Sequence, residues 1–348
     1  MGRALVHRYR LPRRLLHQLR PLPPGVPRDG AGPVPGGPVS GRRRVLLAGP
    51  RSFCAGVERA IDAVERALQT FGPPVYVRKQ IVHNSHVVQG LEARGAVFVD
   101  ELSEVPVAST VVLSAHGVSP AVRAEALRRD LRVIDATCPL VNKVHVEARR
   151  FAQEGYRIVL VGHEGHEEVE GTLGEAPDRT DLVDSVDAVH RLEIDADERV
   201  AYVAQTTLAT DEVDEIVGAL RRRFPQAVGP RSDDICYATQ NRQDAVRAVA
   251  RRADVVIVVG SANSSNSNRL VEVAEREGCR AHLVDDPSEL DLAWIADATT
   301  VGLTAGASAP EALVGEVVAA IGGLGPLELE EDAVTTERVH FRAPEGVR

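Results

Sequence analysis

Three cysteines set the chemistry open to this chain. Cys54, Cys138 and Cys236 each stand where an apolar, strand-like run gives way to a helix-like run, in RSFCAGVERA, DATCPLVNKV and DDICYATQNR. The gaps between them are domain-sized, unlike the close CxxC spacing of a zinc knuckle. A thiolate is stabilised by the positive end of a helix, and Cys138 is followed by Pro139, a favoured first helical residue. The flanking Arg51, Asp135, Thr137, Asp233 and Asp234 are too polar for three inert, packed thiols. The pattern points to an inorganic centre held by three thiolates with one coordination site left for substrate. Iron–sulfur clusters are normally held by thiolates; zinc on cysteine and histidine is the alternative. The remaining Cys279, in EREGCRAHL, lacks this setting and reads as a packing residue.

Histidines and small polar residues gather at the same kind of turn. His83 lies in QIVHNSH, His116 in LSAHGVS, and His163 and His166 in LVGHEGHEEVEGT. His116 and His163 directly follow apolar runs, where α/β sheets build their sites, whereas His86 reads as a surface helix residue. Glu168 is a carboxyl among histidines that can deliver a proton, with Glu164, Glu167 and Glu170 competing for that role. The run SANSSNSNRL, Ser261 to Leu270, follows the strand-like DVVIVVG and opens a helix. Hydroxyls, amides and free N–H groups at a helix N-terminus make an anion site. TAGASAP repeats the theme with Ser308, and AQTTLAT with Thr206 and Thr207. One Ser–Asn pair would be ordinary capping; the dense run Asn263 to Asn268 favours a phosphate or diphosphate. No GK[ST] lysine and no GxGxxG is present, so neither a P-loop nor a dinucleotide fingerprint is expected.

The elements that must position these groups alternate. VLLAG, VYVR, AVFVD, TVVLSA, RVIDA, RIVLVG, TDLVDS, VAYVAQ, DVVIVVG, RAHLVDD and TVGLTAG read as short strands with helix-like stretches between them. That alternation predicts an α/β fold of parallel sheets flanked by helices. The expected organisation is an Arg/Pro/Gly-rich disordered extension over 1–44, three similar α/β units over 45–138, 139–235 and 236–324, and a flexible tail over 325–348. The 348 residues are 44% hydrophobic but only 3% aromatic, so aliphatic side chains must fill the core. A net charge of −9 and few rings argue against nucleic-acid binding. No run approaches the ~20 apolar residues of a membrane span. Unpaired thiols suit a reducing, cytoplasmic compartment.

These motifs, in this order, resemble the 4-hydroxy-3-methylbut-2-enyl diphosphate reductase family of the non-mevalonate isoprenoid pathway. The resemblance runs from about Val45 to Leu324 and includes RSFCAGVERAI, VRKQIVHNSHVV, SAHGVS, DATCPLVNKVH, GHEGHEEVEGT, AQTTL, DDICYATQNRQ, GSANSSNSNRL and TAGASAP. It implies a [4Fe–4S] cluster on Cys54, Cys138 and Cys236, with three α/β units arranged pseudo-threefold around it. It implies that His83, His116, Ser264, Asn266 and Ser308 hold a diphosphate, with Ser265 beside them. His166, Thr206 and Glu168 surround the substrate hydroxyl, with Glu168 feeding the proton donor network. The implied reaction uses two electrons and two protons to remove that hydroxyl as water, giving isopentenyl and dimethylallyl diphosphate. The implied electron donor is of ferredoxin or flavodoxin type, with its reductase. One departure stands out: Glu167 occupies a position where the family commonly has proline, which adds a carboxylate expected to act on Glu168 or His166.

Overall fold

Buried aliphatic strands dictate the architecture. The structure, a computed structural model, describes residues 42–195 and 197–347. The extension expected over 1–44 lies outside the described residues, apart from its last three positions. Of those, Arg43 and Arg44 already open the first strand, β1 (Arg43–Gly49). Runs such as β9 (Val255–Val259) and β4 (Thr110–Leu113) are buried at every position. Strands covered on both faces belong to parallel sheets flanked by helices. Every strand pairing among the described residues is parallel.

Three sheets result. Strands β2 (Val75–Arg78), β3 (Ala96–Val99), β4 and β5 (Arg132–Asp135) form a four-stranded sheet in the order β3-β2-β4-β5. Strands β6 (Arg157–Val161), β7 (Thr180–Val183) and β8 (Val200–Ala204) form a three-stranded sheet, β7-β6-β8. The third has five strands: β10 (Arg280–Val284), β9, β11 (Thr300–Ala305), β1 and β12 (Leu327–Ala333), in that order.

Two features differ from the expected units. Strand β1, expected in the first unit, pairs with β11 and β12 in the five-stranded sheet. Its apolar run needs neighbours on both edges, and chain order does not say which sheet supplies them. The tail, expected to be flexible, contributes β12. Its acids answer arginines across the sheet: Glu331 pairs with Arg51 at 2.6 Å, Glu330 with Arg252 at 2.5 Å, and Asp332 with Arg252. Beyond β12, Val347 is buried among the first unit's aliphatic side chains.

Helices cross from sheet to sheet. Helix α1 (Ala55–Phe71) buries Val57, Ala60, Ala63, Val64, Ala67 and Leu68, the three-and-four spacing of an amphipathic helix. It ends at Gly72, whose N–H bonds Leu68 O at a φ of 73° that favours glycine. Although α1 follows β1, its apolar face packs on β2 and β4 of the four-stranded sheet. Helix α4 (Pro139–Gln153) follows β5 of that sheet and packs on β6 and β8 of the three-stranded one. Helix α8 (Tyr237–Ala250) follows the segment that pairs Val228 with Ala201 of β8, and packs on β1 and β9 of the five-stranded sheet. The chain therefore steps round all three sheets, one helix at a time.

Arg242 of α8 fixes the tail to this frame. It has no exposed surface, and it donates to Ser52 O at 2.6 and 3.1 Å, to Ala238 O at 3.0 Å and to Glu337 Oε1 at 3.0 Å. Glu337 supplies its counter-charge. Glu337→Ala removes that charge and one hydrogen bond to a charged group, which is expected to cost about 2 kcal/mol. Urea unfolding in one fixed cofactor state reads this as a lower midpoint at unchanged slope; an unchanged midpoint refutes the role given to Glu337.

Candidate active site

The three steps between sheets coincide with the three cysteines. Cys54, Cys138 and Cys236 are the N-cap residues of α1, α4 and α8. Each cysteine N–H is held by a carbonyl two residues past the end of a strand: Cys54 by Ala307 O after β11 at 3.2 Å, Cys138 by Ala115 O after β4 at 3.0 Å, and Cys236 by Thr206 O after β8 at 3.1 Å. The sulfurs so placed line one cavity. Gly56 gives them room, because a Cβ there would meet Cys138 Sγ at 2.7 Å and Cys54 Sγ at 3.7 Å. All four cysteines are free thiols, and Cys279 lies apart, buried under α8 and the five-stranded sheet.

The same cavity collects the other residues that the family resemblance implied for the site. His83, His116, His166, Glu168, Thr206, Ser264, Ser265, Asn266 and Ser308 all line it. His83 follows β2 and His116 follows β4; their rings stack with centroids 4.0 Å apart and planes at 16°. His166 meets both edge-on, at 5.4 and 5.8 Å. It is the N-cap of α5 (Glu167–Leu173), and its Nδ1 accepts the N–H of Glu168 at 3.2 Å. Glu168 is 2% exposed. Its Oε1 accepts the Thr206 N–H at 2.7 Å, and its Oε2 lies 3.0 Å from Thr206 Oγ1.

Ser264 caps α9 (Ser265–Arg276) by accepting the Ser267 N–H. Asn266 Oδ1 accepts Ala307 N–H at 2.9 Å, which ties the loop after β9 to the loop after β11. Ser308 Oγ donates to His83 O at 2.9 Å, joining the five-stranded sheet to the four-stranded one. Thr207 Oγ1 and Gln205 Nε2 contact Ser265 Oγ at 3.0 and 3.2 Å, which joins the three-stranded sheet to the same loop.

Other groups highlighted in the sequence turn elsewhere. His163 faces Glu212 at 3.3 Å and does not line the cavity. Asn263 reaches Gln80, and Asn268 donates to Ala262 O. The dense Asn–Ser run thus divides into a cavity-facing centre and structural ends. Glu167 contacts neither Glu168 nor His166 by hydrogen bond, and its Oε2 lies 2.9 Å from His116 Nδ1; its charge nevertheless acts on His166 as expected, raising that ring's pKa against the larger effect of burial. Thr239 went unnoticed in the sequence. Its Oγ1 lies 3.1 Å from Cys236 Sγ, and its N–H donates to the same sulfur at 3.4 Å. Its position three residues after an N-cap, where caps find their partners, is the signal that marks it.

Burial sets the protonation of this cavity. It pushes Cys138 up to about 12 and Cys236 to about 11, with repulsion from Cys54 and the other sulfurs adding to it. Burial holds His83 down at about 3, with further repulsion from His116. It holds His116 at about 4 and His166 at about 3. Burial raises Glu168 to about 7, against the opposing bonds from Thr206. Three soft sulfurs gathered at three helix N-termini, with Cys138 and Cys236 held in the thiol form by burial, fit a polycation that binds three thiolates together. The ligand atoms of His83, His116 and Glu167 also lie within 4.8 Å of one another. The stacked rings and the hydrogen-bond distance to Nδ1 make that trio a hydrogen-bonded pair under a second ring, not a metal-ligand set.

Relatives agree with this construction. A family model described as LytB protein matches residues 45–322. A 4-hydroxy-3-methylbut-2-enyl diphosphate reductase of Acidothermus cellulolyticus is 57% identical over 308 residues, spanning 88% of this chain and 91% of that one. One from Azoarcus sp. is 56% identical over 304 residues, spanning 87% of this chain and 97% of its own. The solved structure of the E-1-hydroxy-2-methyl-but-2-enyl-4-diphosphate reductase from Plasmodium falciparum superposes with a TM-score of 0.85 at 38% identity, covering 88% of this chain and 97% of that chain. The matched span contains every residue that lines the cavity, and the chain belongs to the LytB protein family.

Proposed function

We infer that this chain reductively removes the hydroxyl of 4-hydroxy-3-methylbut-2-enyl diphosphate, the last step of the non-mevalonate route to isoprenoids. One observation carries the reading. Three thiols at helix N-caps, with no fourth cysteine near, share a cavity with a buried carboxyl and a cluster of hydroxyl, amide and imidazole groups. Its relatives bear the name of that reductase.

Cys54, Cys138 and Cys236 would hold a [4Fe–4S] cluster. When bound, it supplies electrons and, at the iron that lacks a cysteine, a Lewis-acid contact for the leaving oxygen. The protein does the rest. Ser264, Ser265, Asn266, Ser308, His83 and His116 bind the diphosphate through donors that need no lysine clamp, because charge-assisted hydrogen bonds are strong in a covered site. His166 and Thr206 orient the hydroxyl. Glu168, kept partly protonated near neutrality by burial, holds the proton the leaving oxygen takes. Two electrons and two protons balance the step. The carbon–oxygen bond breaks and oxygen leaves as water; one proton serves that water and the other joins the allyl skeleton at either end, giving isopentenyl or dimethylallyl diphosphate.

Electrons would come from a ferredoxin or flavodoxin type donor with its reductase, since the sequence carries no dinucleotide fingerprint. A cytoplasmic site of action suits free thiols. No helix among the described residues is long and apolar enough to cross a membrane.

Anaerobically purified protein is expected to be brown, with about four irons per chain; a colourless protein with stoichiometric zinc sinks the reading. Cys138→Ser is expected to lose both cluster and activity, whereas Cys279→Ser keeps the iron. Full activity in the Cys138 variant refutes its role as a ligand. Glu168→Gln keeps the cluster and slows turnover by roughly 10²-fold or more. The protonated carboxyl is the working form, so a pKa raised to about 7 predicts that wild-type kcat/KM falls as pH rises through about 7. That limb is expected to vanish in Glu168→Gln; its survival there assigns the proton to another group.

A further inference from the structure

We propose that Glu167 and His116 form a carboxylate–imidazole pair that receives the diphosphate as an imidazolium, so that ligand binding takes up a proton from solvent. This makes Glu167 a positioning and affinity residue. It rests on the reading that the cavity takes an allylic diphosphate.

The geometry is specific. Glu167 opens α5, while His116 follows β4 of a different sheet, and Glu167 Oε2 meets His116 Nδ1 at 2.9 Å. Their side chains are 18% and 14% exposed, so water competes weakly for the contact. An ionised carboxylate only accepts hydrogen bonds, hence Nδ1 carries the hydrogen. That fixes the tautomer and leaves Nε2 as the ring nitrogen for the ligand.

Electrostatics then select which imidazole charges. His83 stacks on His116 at 4.0 Å, and His166 stands edge-on to both, so charging several rings at once is penalised. Of the three, His116 alone has a carboxylate at hydrogen-bond distance from a ring nitrogen. The permanent charges facing Glu167 are Lys79 and Arg78, and His83 and His166 add to them only when protonated. They favour its ionised form, against burial, which is the larger effect and opposes it. Without ligand, burial keeps His116 neutral. A diphosphate at Nε2 supplies the negative charge that reverses this, and Glu167 stabilises the resulting cation from the other side.

The sign follows. A proton bound only in the complex makes affinity fall as pH rises, and removing the carboxylate removes that proton at neutral pH. Glu167→Gln keeps an acceptor for Nδ1–H but loses the charge; Glu167→Ala loses both. The experiment titrates inorganic pyrophosphate into anaerobic, cluster-loaded full-length protein by calorimetry. Buffers of differing ionisation enthalpy report proton uptake at pH 7 to 8, where pyrophosphate's own protonation is common to all variants and cancels in their difference. Glu167→Gln is expected to bind roughly tenfold more weakly and to take up close to one proton fewer. Turnover with the substrate should show KM rising far more than kcat falls. Unchanged uptake and affinity in Glu167→Gln, with the cluster's absorbance intact, overturn the proposal. Failure of the wild-type protein to bind pyrophosphate at all overturns the diphosphate reading on which it rests.

Discussion

The structure depends on one topological constraint: the chain crosses from sheet to sheet three times, and each crossing is a cysteine. Strand β1 belongs to the five-stranded sheet while α1 packs on the four-stranded one; β5 and α4, then the β8 edge and α8, repeat the move. Each Cys N–H bonds to a carbonyl two residues past the end of a strand, and each cysteine is the N-cap residue of a helix, Cys236 alone capping it through its sulfur. Three thiols therefore meet only when all three units have docked. The proposed cluster would tie the units together there, because metal–thiolate binding free energy becomes folding free energy. The bonds between units gather round the same cavity: Ser308 to His83, Thr207 to Ser265, Arg242 to Ser52.

That cavity holds its titratable groups in neutral form. Imidazoles driven down, thiols driven up and a carboxyl raised to about 7 are consequences of one cause, desolvation. The neutral state lowers the cost of keeping so many polar groups buried together without their ligands. On the proposed function, charge would enter with the cofactor and the diphosphate, and each arriving charge would be met by groups already placed. Thr206 illustrates the economy of placement. Its N–H and hydroxyl hold Glu168, while its carbonyl holds the Cys236 N–H, so the buried carboxyl and one of the three cavity thiols share one residue's backbone.

Much of this was legible because burial on both faces writes itself into sequence as an uninterrupted aliphatic run. VVIVV in β9 and TVVL in β4 admit few other readings. The turns that follow them carried the site residues, since ligand groups cluster at the carboxyl ends of parallel strands. What escaped was set by partners distant in the chain. Nothing in RRVLLAG says that β1 pairs with β11 rather than β2. Glu167 looked like a neighbour of Glu168, yet a helix turns successive residues to different directions, and only the docking of β4's loop brings His116 within its reach. Thr239 was hidden because a threonine in a first helical turn is usually unremarkable; its meaning comes from the sulfur it faces.

The acidic tail shows the same principle from the opposite side. LELEEDA has poor strand propensity by itself, and its exposed ion pairs with Arg44 and Arg252 are individually worth little in water. What makes it a strand is β1, whose open edge offers a full ladder over seven residues. Once paired, the tail reaches two arginines that matter more. Arg242 binds Ser52 O, two residues before Cys54, as well as Glu337. Arg59 of α1 donates to Thr137 O, one residue before Cys138, and to Arg342 O at 2.8 Å. The tail thus braces the backbone of two cysteine loops from outside, through buried or half-buried guanidinium groups that ordinary solvent would otherwise compete to satisfy. A segment with no apolar periodicity can still be part of the frame when its partners are charges and carbonyls rather than a hydrophobic face.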